Sequence, residues 1–401
     1  MDSENTPGNE FPFFDFKAMF GGVGAGREWE TARTMAAAVA ADGESEPNVE
    51  PLARREIESL VRVAELQVAS HIQGISPQTD VKVSVVTRSE WARRSVDVYR
   101  PFFERFGEAL GESEPAGADQ SDPFGAMLGQ MLKEIGPMMV SATAGTMLGH
   151  LGQGALGQYE LPVPRNDTDI LIVSTTIEKA ADEWGVGLAD LRLWVLVHEL
   201  VTHAVLSVPH VSKRLEGLLL DFASAFKPNV EHINDQFGSI TDLSQIQELS
   251  ETFSDPTAVL SMMRSGAHDL LMPQLDAMVA VIIGFVDDTV DQICGPLVPS
   301  ADRIKDHFRS RWADSGSSNR FTEELLGLNI TRATFNRGDS FIAGIRERAG
   351  SEAIDRLWGD ELDFPTSAEV DAPGLWVARV GLDPEFGPIV DQIPDDLSGL
   401  D

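Results

Sequence analysis

The chain has 401 residues and carries 64 acidic side chains against 31 basic ones, a formal charge of −33. Carboxylates in that excess repel nucleic acid and anionic membrane surfaces, and no basic patch reverses the balance, so neither is expected as a partner. The length allows one large domain or two ordinary ones.

Seven lysines stand against twenty-four arginines, and the acidic residues are spread along the chain. That balance resembles the salt-adapted cytosolic proteins of halophilic archaea, in which salt screens a self-repelling surface. The lone Cys294 forms no internal disulfide, reads as a small buried residue and suits a reducing compartment. The acidic start MDSENTPGNE lacks the basic and apolar regions of a signal peptide, so a cytoplasmic location is expected.

Residues 1–45 read as a flexible acidic and Gly-rich segment. Their GGVGAG lacks a preceding strand and a following GK[ST], which favours a turn over a phosphate loop. Residues 46–385 read as one helical domain or as two helical lobes, 46–165 and 166–385, and 386–401 as an acidic tail. From Val49 to Ile72 apolar residues recur every three or four positions, the pattern of a long amphipathic helix. DVKVSVV suggests a short extended piece running into a helix. The Met-, Gly- and Ala-rich stretch from Phe124 to Leu156 is broken by Lys133, Glu134, Pro137 and His150, so it falls short of a membrane span. Its Ala144, Gly145, Gly149, Gly152 and Gly154 would let helices approach closely. Ile170 to Ile177 is a β-branched run that reads as a short buried strand. Helical periodicity returns afterwards, through an apolar run from Leu270 to Cys294, the segment ADRIKDHFRSRW and a helix near Phe341 to Arg348. The fold class expected is mainly α, with a short β element before a motif helix.

That helix is LRLWVLVHELVTHAVLSVP, Leu191 to Pro209. Imidazoles ligate zinc and a neighbouring glutamate can deprotonate its water, so His198, Glu199 and His203 on one apolar run point to metal-dependent hydrolysis. In HExxH the histidines stand at i and i+4, on one face. Here they stand at i and i+5, about 140° apart on a regular helix. A π-bulge between them would bring both rings to one ion. The HExxxH spacing resembles the HELLGH element of the dipeptidyl peptidase III family, where it serves zinc.

LGQYELPVP (156–164), ILIVSTTI, LWVLVHELVTHAVLSVP, Gly295–Pro296, LLGLNITRATFNRGDSF (325–341), RLW (356–358) and LWVARV (375–380) together resemble the type-2 zincin-like metallopeptidases, over roughly residues 45 to 385. That bacterial and archaeal group is assigned as zinc-dependent hydrolases, some labelled as associated with deazaflavin-coenzyme biosynthesis. The resemblance implies a zincin-like helical fold, zinc as cofactor, a peptide or amide substrate and Glu199 as general base. Two departures stand out. The family's HEVTH is lengthened by one residue, Leu200 or Val201. Its downstream E-G-H-A-D-like element is matched by Ile283-Gly284-Phe285-Val286-Asp287, so the third-ligand glutamate is Ile283 and only Asp287 survives. Candidates for the third ligand beside His198 and His203 are Asp287, Glu248, Glu251 and His210. His71, His150, His232, His268 and His307 read as structural or solvated. The alternative function is a catalytically silent scaffold with a binding or structural role.

Overall fold

A computed structural model describes residues 28–72, 74–75, 81–112, 123–165, 169–226, 263–313 and 323–381. GGVGAG, His232, Glu248, Glu251 and the C-terminal tail lie outside the described residues.

The fold is mainly helical, as the periodicity predicts. Helices α1 (Glu28–Ala40) and α2 (Pro51–His71) precede strand β1 (Lys82–Val86). Pro51 suits the first turn of α2, where its missing N–H costs nothing. The long helices α3 (Arg88–Glu112) and α4 (Pro123–Gly154) lead to strand β2 (Asp169–Val173), which pairs in parallel with β1 from Lys82–Asp169 to Val86–Val173. The extended piece in DVKVSVV is therefore a second strand. Helix α5 (Ser174–Trp184) starts where the β-branched run was expected to continue as strand. Ile177, Ala180 and Ala181 are buried on one helical face there, and that packing overrides the strand preference of Thr175 and Thr176.

Gly185, in the left-handed region at φ +63°, ends α5 and frees the chain to enter α6 (Leu188–Leu206). An 87° bend separates α6 from α7 (Pro209–Ser224). Helix α8 (Gly266–Cys294) follows; Ser265 and His268 cap its start reciprocally. It is long and apolar enough to cross a membrane, but more than half of its most apolar window is buried by neighbouring helices, as in a soluble core helix. Cys294, at its end, is fully buried, and burial pushes its thiol up to about 12. Helices α9 (Ala301–Ala313) and α10 (Arg332–Ala349) complete the main body. Helix α10 starts well before Phe341, because Thr331 and Thr334 cap each other there. A 3₁₀ segment (Ser351–Trp358) and the short helices α11 (Ser367–Asp371) and α12 (Pro373–Arg379) close the described chain.

Small residues set the helix spacings. A Cβ on Gly145 would lie 2.7 Å from the Ala32 carbonyl oxygen, and one on Gly149 would lie 2.5 Å from Val39 Cβ, so α4 seats against α1 only without side chains there. Gly154 takes no part; its nearest neighbour is an Arg311 nitrogen at 3.8 Å. Helices α8 and α10 cross with Gly284 against Gly338.

The net charge carries a consequence for stability. Exposed pairs such as Arg100–Glu104 contribute about 0–1 kcal/mol each and weaken in salt. Self-repulsion from a charge of −33 acts over the whole surface and is also screened, as the Debye length falls from about 10 Å at 0.1 M to about 3 Å at 1 M. The second effect wins, so the melting temperature is expected to rise across that range. A flat or falling melting curve would refute the salt-adapted reading.

Candidate functional site

Helix α6 is buried on nearly every side, which explains its continuous apolar run, and His198, Glu199 and His203 are all buried with it. It is α-helical from Leu188 to Leu206, so the π-bulge expected between the histidines is not formed. The Thr202 hydroxyl donates to the His198 carbonyl oxygen at 2.8 Å, a bond that fits regular α-helical spacing. The two rings consequently serve different neighbours. His198 stacks on Trp194, one turn earlier, with centroids 5.2 Å apart and planes 15° apart, and meets Phe308 of α9 at 4.8 Å. His203 Nδ1 lies 2.7 Å from the Tyr159 hydroxyl.

Glu199 is held by the segment Leu156 to Glu160. Its Oε2 accepts the Tyr159 backbone N–H at 2.8 Å, and its Oε1 lies 3.5 Å from His198 Nδ1. Gly157 makes this approach possible, since a Cβ there would sit 2.4 Å from Glu199 Cδ. The segment is itself pinned. Leu156 O accepts the Val173 N–H, the Gln158 side chain accepts the Leu171 N–H, and Trp91 Nε1 donates to Gly157 O at 2.7 Å. Strand β2 therefore positions the loop that positions Glu199. Glu160 accepts the Leu156 N–H and an Arg311 N–H, each at 2.6 Å. Burial pushes the Glu160 carboxyl above its usual range, and Arg311 draws it back only in part.

Asp287, one turn beyond Ile283 on α8, is bound by Arg309 of α9, whose Nε and Nη2 donate to Oδ2 at 2.8 and 2.5 Å. Burial pushes the Asp287 carboxyl up; Arg309 and, more weakly, His198 draw it down. A recess of about 40 Å³ opens among Tyr159, His198, Ile283, Asp287, Phe308 and Trp312. A larger one, about 570 Å³, includes Arg264, Glu323, Glu324 and Arg332 and shares Trp312 and Ile330 with the first.

The other candidates sit apart. His210 begins α7 with Nε2 buried and without a partner, away from the recess. His71 bonds the Gln67 carbonyl, His150 faces Gln153, His268 caps α8 and His307 stacks on Trp184.

A zincin centre needs three converging protein ligands and a water. Among the described residues no three His, Cys, Asp or Glu side chains come together as a metal site. Three causes are visible: the histidines stand 140° apart on an unbroken helix, Ile283 supplies no donor, and Oδ2 of Asp287 is held by the Arg309 cation. The described residues do not fit the ion. Tyr159, Glu160, Arg309 and Arg311 were not singled out from sequence. The signal for the arginines lay in ADRIKDHFRSRW, where Lys305, Phe308, Arg309 and Trp312 at i, i+3, i+4 and i+7 share one face in an otherwise acidic chain.

The family profile described as zincin-like metallopeptidase matches residues 28–377. No match was found among curated proteins. A solved structure from Chloroflexus aurantiacus, described provisionally as a hydrolase with a novel fold, is similar in fold at TM-score 0.56 and 17% identity, over 88% of this chain and 98% of that one. The motif segments, the helical architecture around α6 and the extent of the profile match lead to one conclusion: the chain belongs to the zincin-like metallopeptidase family.

Proposed function

We propose that this zincin-family protein holds a peptide or amide ligand in the cleft beside α6 without cleaving it through zinc. The observation that carries this reading is the state of Asp287: the surviving acidic residue of the family's ligand element is bound to Arg309, while Ile283 replaces the glutamate. The larger recess, about 570 Å³, has the volume for a ligand of that class, and it joins the small one beside His198 at Trp312 and Ile330. Phe308, Trp312 and Phe335 offer an apolar seat, and the larger recess presents both signs of charge through Arg264, Arg332, Glu323 and Glu324.

A second reading, zinc-dependent hydrolysis of a peptide or amide bond, is supported by Glu199. Its carboxylate is buried and aimed by a backbone N–H next to a ring that lines the recess, as a general base would be. His198, His203 and Asp287 would be the ligands in that case, which requires Asp287 to leave Arg309 and α6 to change its winding. Zinc content together with Glu199-dependent peptide hydrolysis separates the two readings. The first expects neither stoichiometric zinc nor turnover lost in Glu199→Gln.

A further inference from the structure

Helix α9 lays a cationic face on an acidic one. On α8, Ile283, Asp287 and Asp291 recur every four residues and share a face; on α9, Lys305 and Arg309 do the same. The pairs run in opposite order, Asp287 with Arg309 and Asp291 with Lys305, so the helices are antiparallel and their charges are in register. Two residues on, Arg311 reaches Glu160 at 2.6 Å on the other side of the site. Arg309 is fully engaged. Two of its N–H groups donate to Asp287, the fork also binds Asp339 at 2.9 Å, and the guanidinium lies 5.1 Å over the Phe335 ring.

We propose that Arg309 is the resident cation of this site: it holds the place a metal ion would need at Asp287 and makes the cleft exclude divalent metal ions. The argument is one of competition. Both Arg309 hydrogen bonds hold Oδ2 of Asp287, so a metal would either displace them or bind Oδ1 beside a guanidinium fixed to Asp287 and Asp339, whose charge repels it. This inference rests on the reading given under the proposed function and identifies the side chain behind one of its three causes.

The test is titration of Zn²⁺ and Co²⁺ into the whole protein, with Arg309→Met and Arg309→Lys beside wild type. Arg309→Met leaves Asp287 buried without its partner, next to His198, and is expected to gain about tenfold or more in affinity for either ion, the scale on which neighbours of a metal ligand act. Arg309→Lys keeps the cation and should stay close to wild type. Adding Asp287→Asn to Arg309→Met should erase the gain. If Arg309→Met does not fold without metal, the proposal expects Zn²⁺ to restore its folding transition, because an ion bound only by the native state stabilises it. Arg309→Met with wild-type affinity, or an unfolded variant that Zn²⁺ does not rescue, overturns the proposal while leaving the zinc-free reading intact. Stoichiometric zinc in wild type overturns both.

Discussion

Alanine at Gly338 is expected to cost about 3 kcal/mol or more, at or beyond the upper end of overpacking effects. An added Cβ would fall 2.2 Å from the Ala280 carbonyl oxygen and 2.9 Å from the Gly284 backbone nitrogen and Cα. Backbone atoms cannot rotate out of the way as a side chain end can, so α8 and α10 would have to separate. That separation would reach the site, since α8 carries Ile283 and Asp287, and α10 carries Asp339, the second acceptor of Arg309. Gly217 supplies the control. It lies inside α7 with open space around its would-be Cβ, so Gly217→Ala should gain roughly 0.5–1 kcal/mol from helix propensity. Denaturant midpoints of the two variants should move in opposite directions. A Gly338→Ala variant as stable as wild type would show that the two helices do not meet at backbone distance.

The second large effect is expected from Arg311→Met. Removing one partner of a buried ion pair typically costs about 3–5 kcal/mol, because the charge left behind is uncompensated. Glu160 would be that charge: it is buried, its remaining fixed partner is the Leu156 N–H, and Glu199 is a like charge nearby. The loss should depend on pH, with a sign that follows from linkage. The Glu160 carboxyl already stands above its ordinary range, and without Arg311 it would rise further. Between the ordinary value and the raised one, the native state keeps a proton that the unfolded state has released, so stability falls as pH rises through that interval. The destabilisation measured by denaturant should therefore be greater at about pH 8 than at about pH 5. An equal loss at both, or a greater loss at the acidic end, would mean that Glu160 is not the group Arg311 serves.

The sequence made the helices legible because most of them bury one face, and periodicity reports that directly. The run from Val49 to Ile72 and the helix beginning near Ala301 are examples. It failed where tertiary packing outvotes local preference, as at Ser174 to Ile177, whose side chains favour strand but whose burial pattern is helical. It also failed where a cap rather than a run of apolar residues sets the start, as at Thr331. The site was readable as a set of residue types and not as an arrangement. HELVTH identifies α6, yet nothing in its six letters says whether the helix absorbs the extra residue by bulging or by turning one histidine away. Here His203 turns to Tyr159, a partner 44 positions away in sequence that no local pattern could supply. Asp287 was readable as a surviving carboxylate, while its engagement by Arg309 depends on how two helices are laid together.

Metal content tests the central claim most directly. The account holds that α6, Ile283 and the Asp287–Arg309 pair leave no zincin centre, so protein purified from high salt and dialysed against zinc should hold well under one zinc per chain, unchanged in His198→Ala and His203→Ala. About one zinc per chain, lost in both variants while the fold persists, would contradict it.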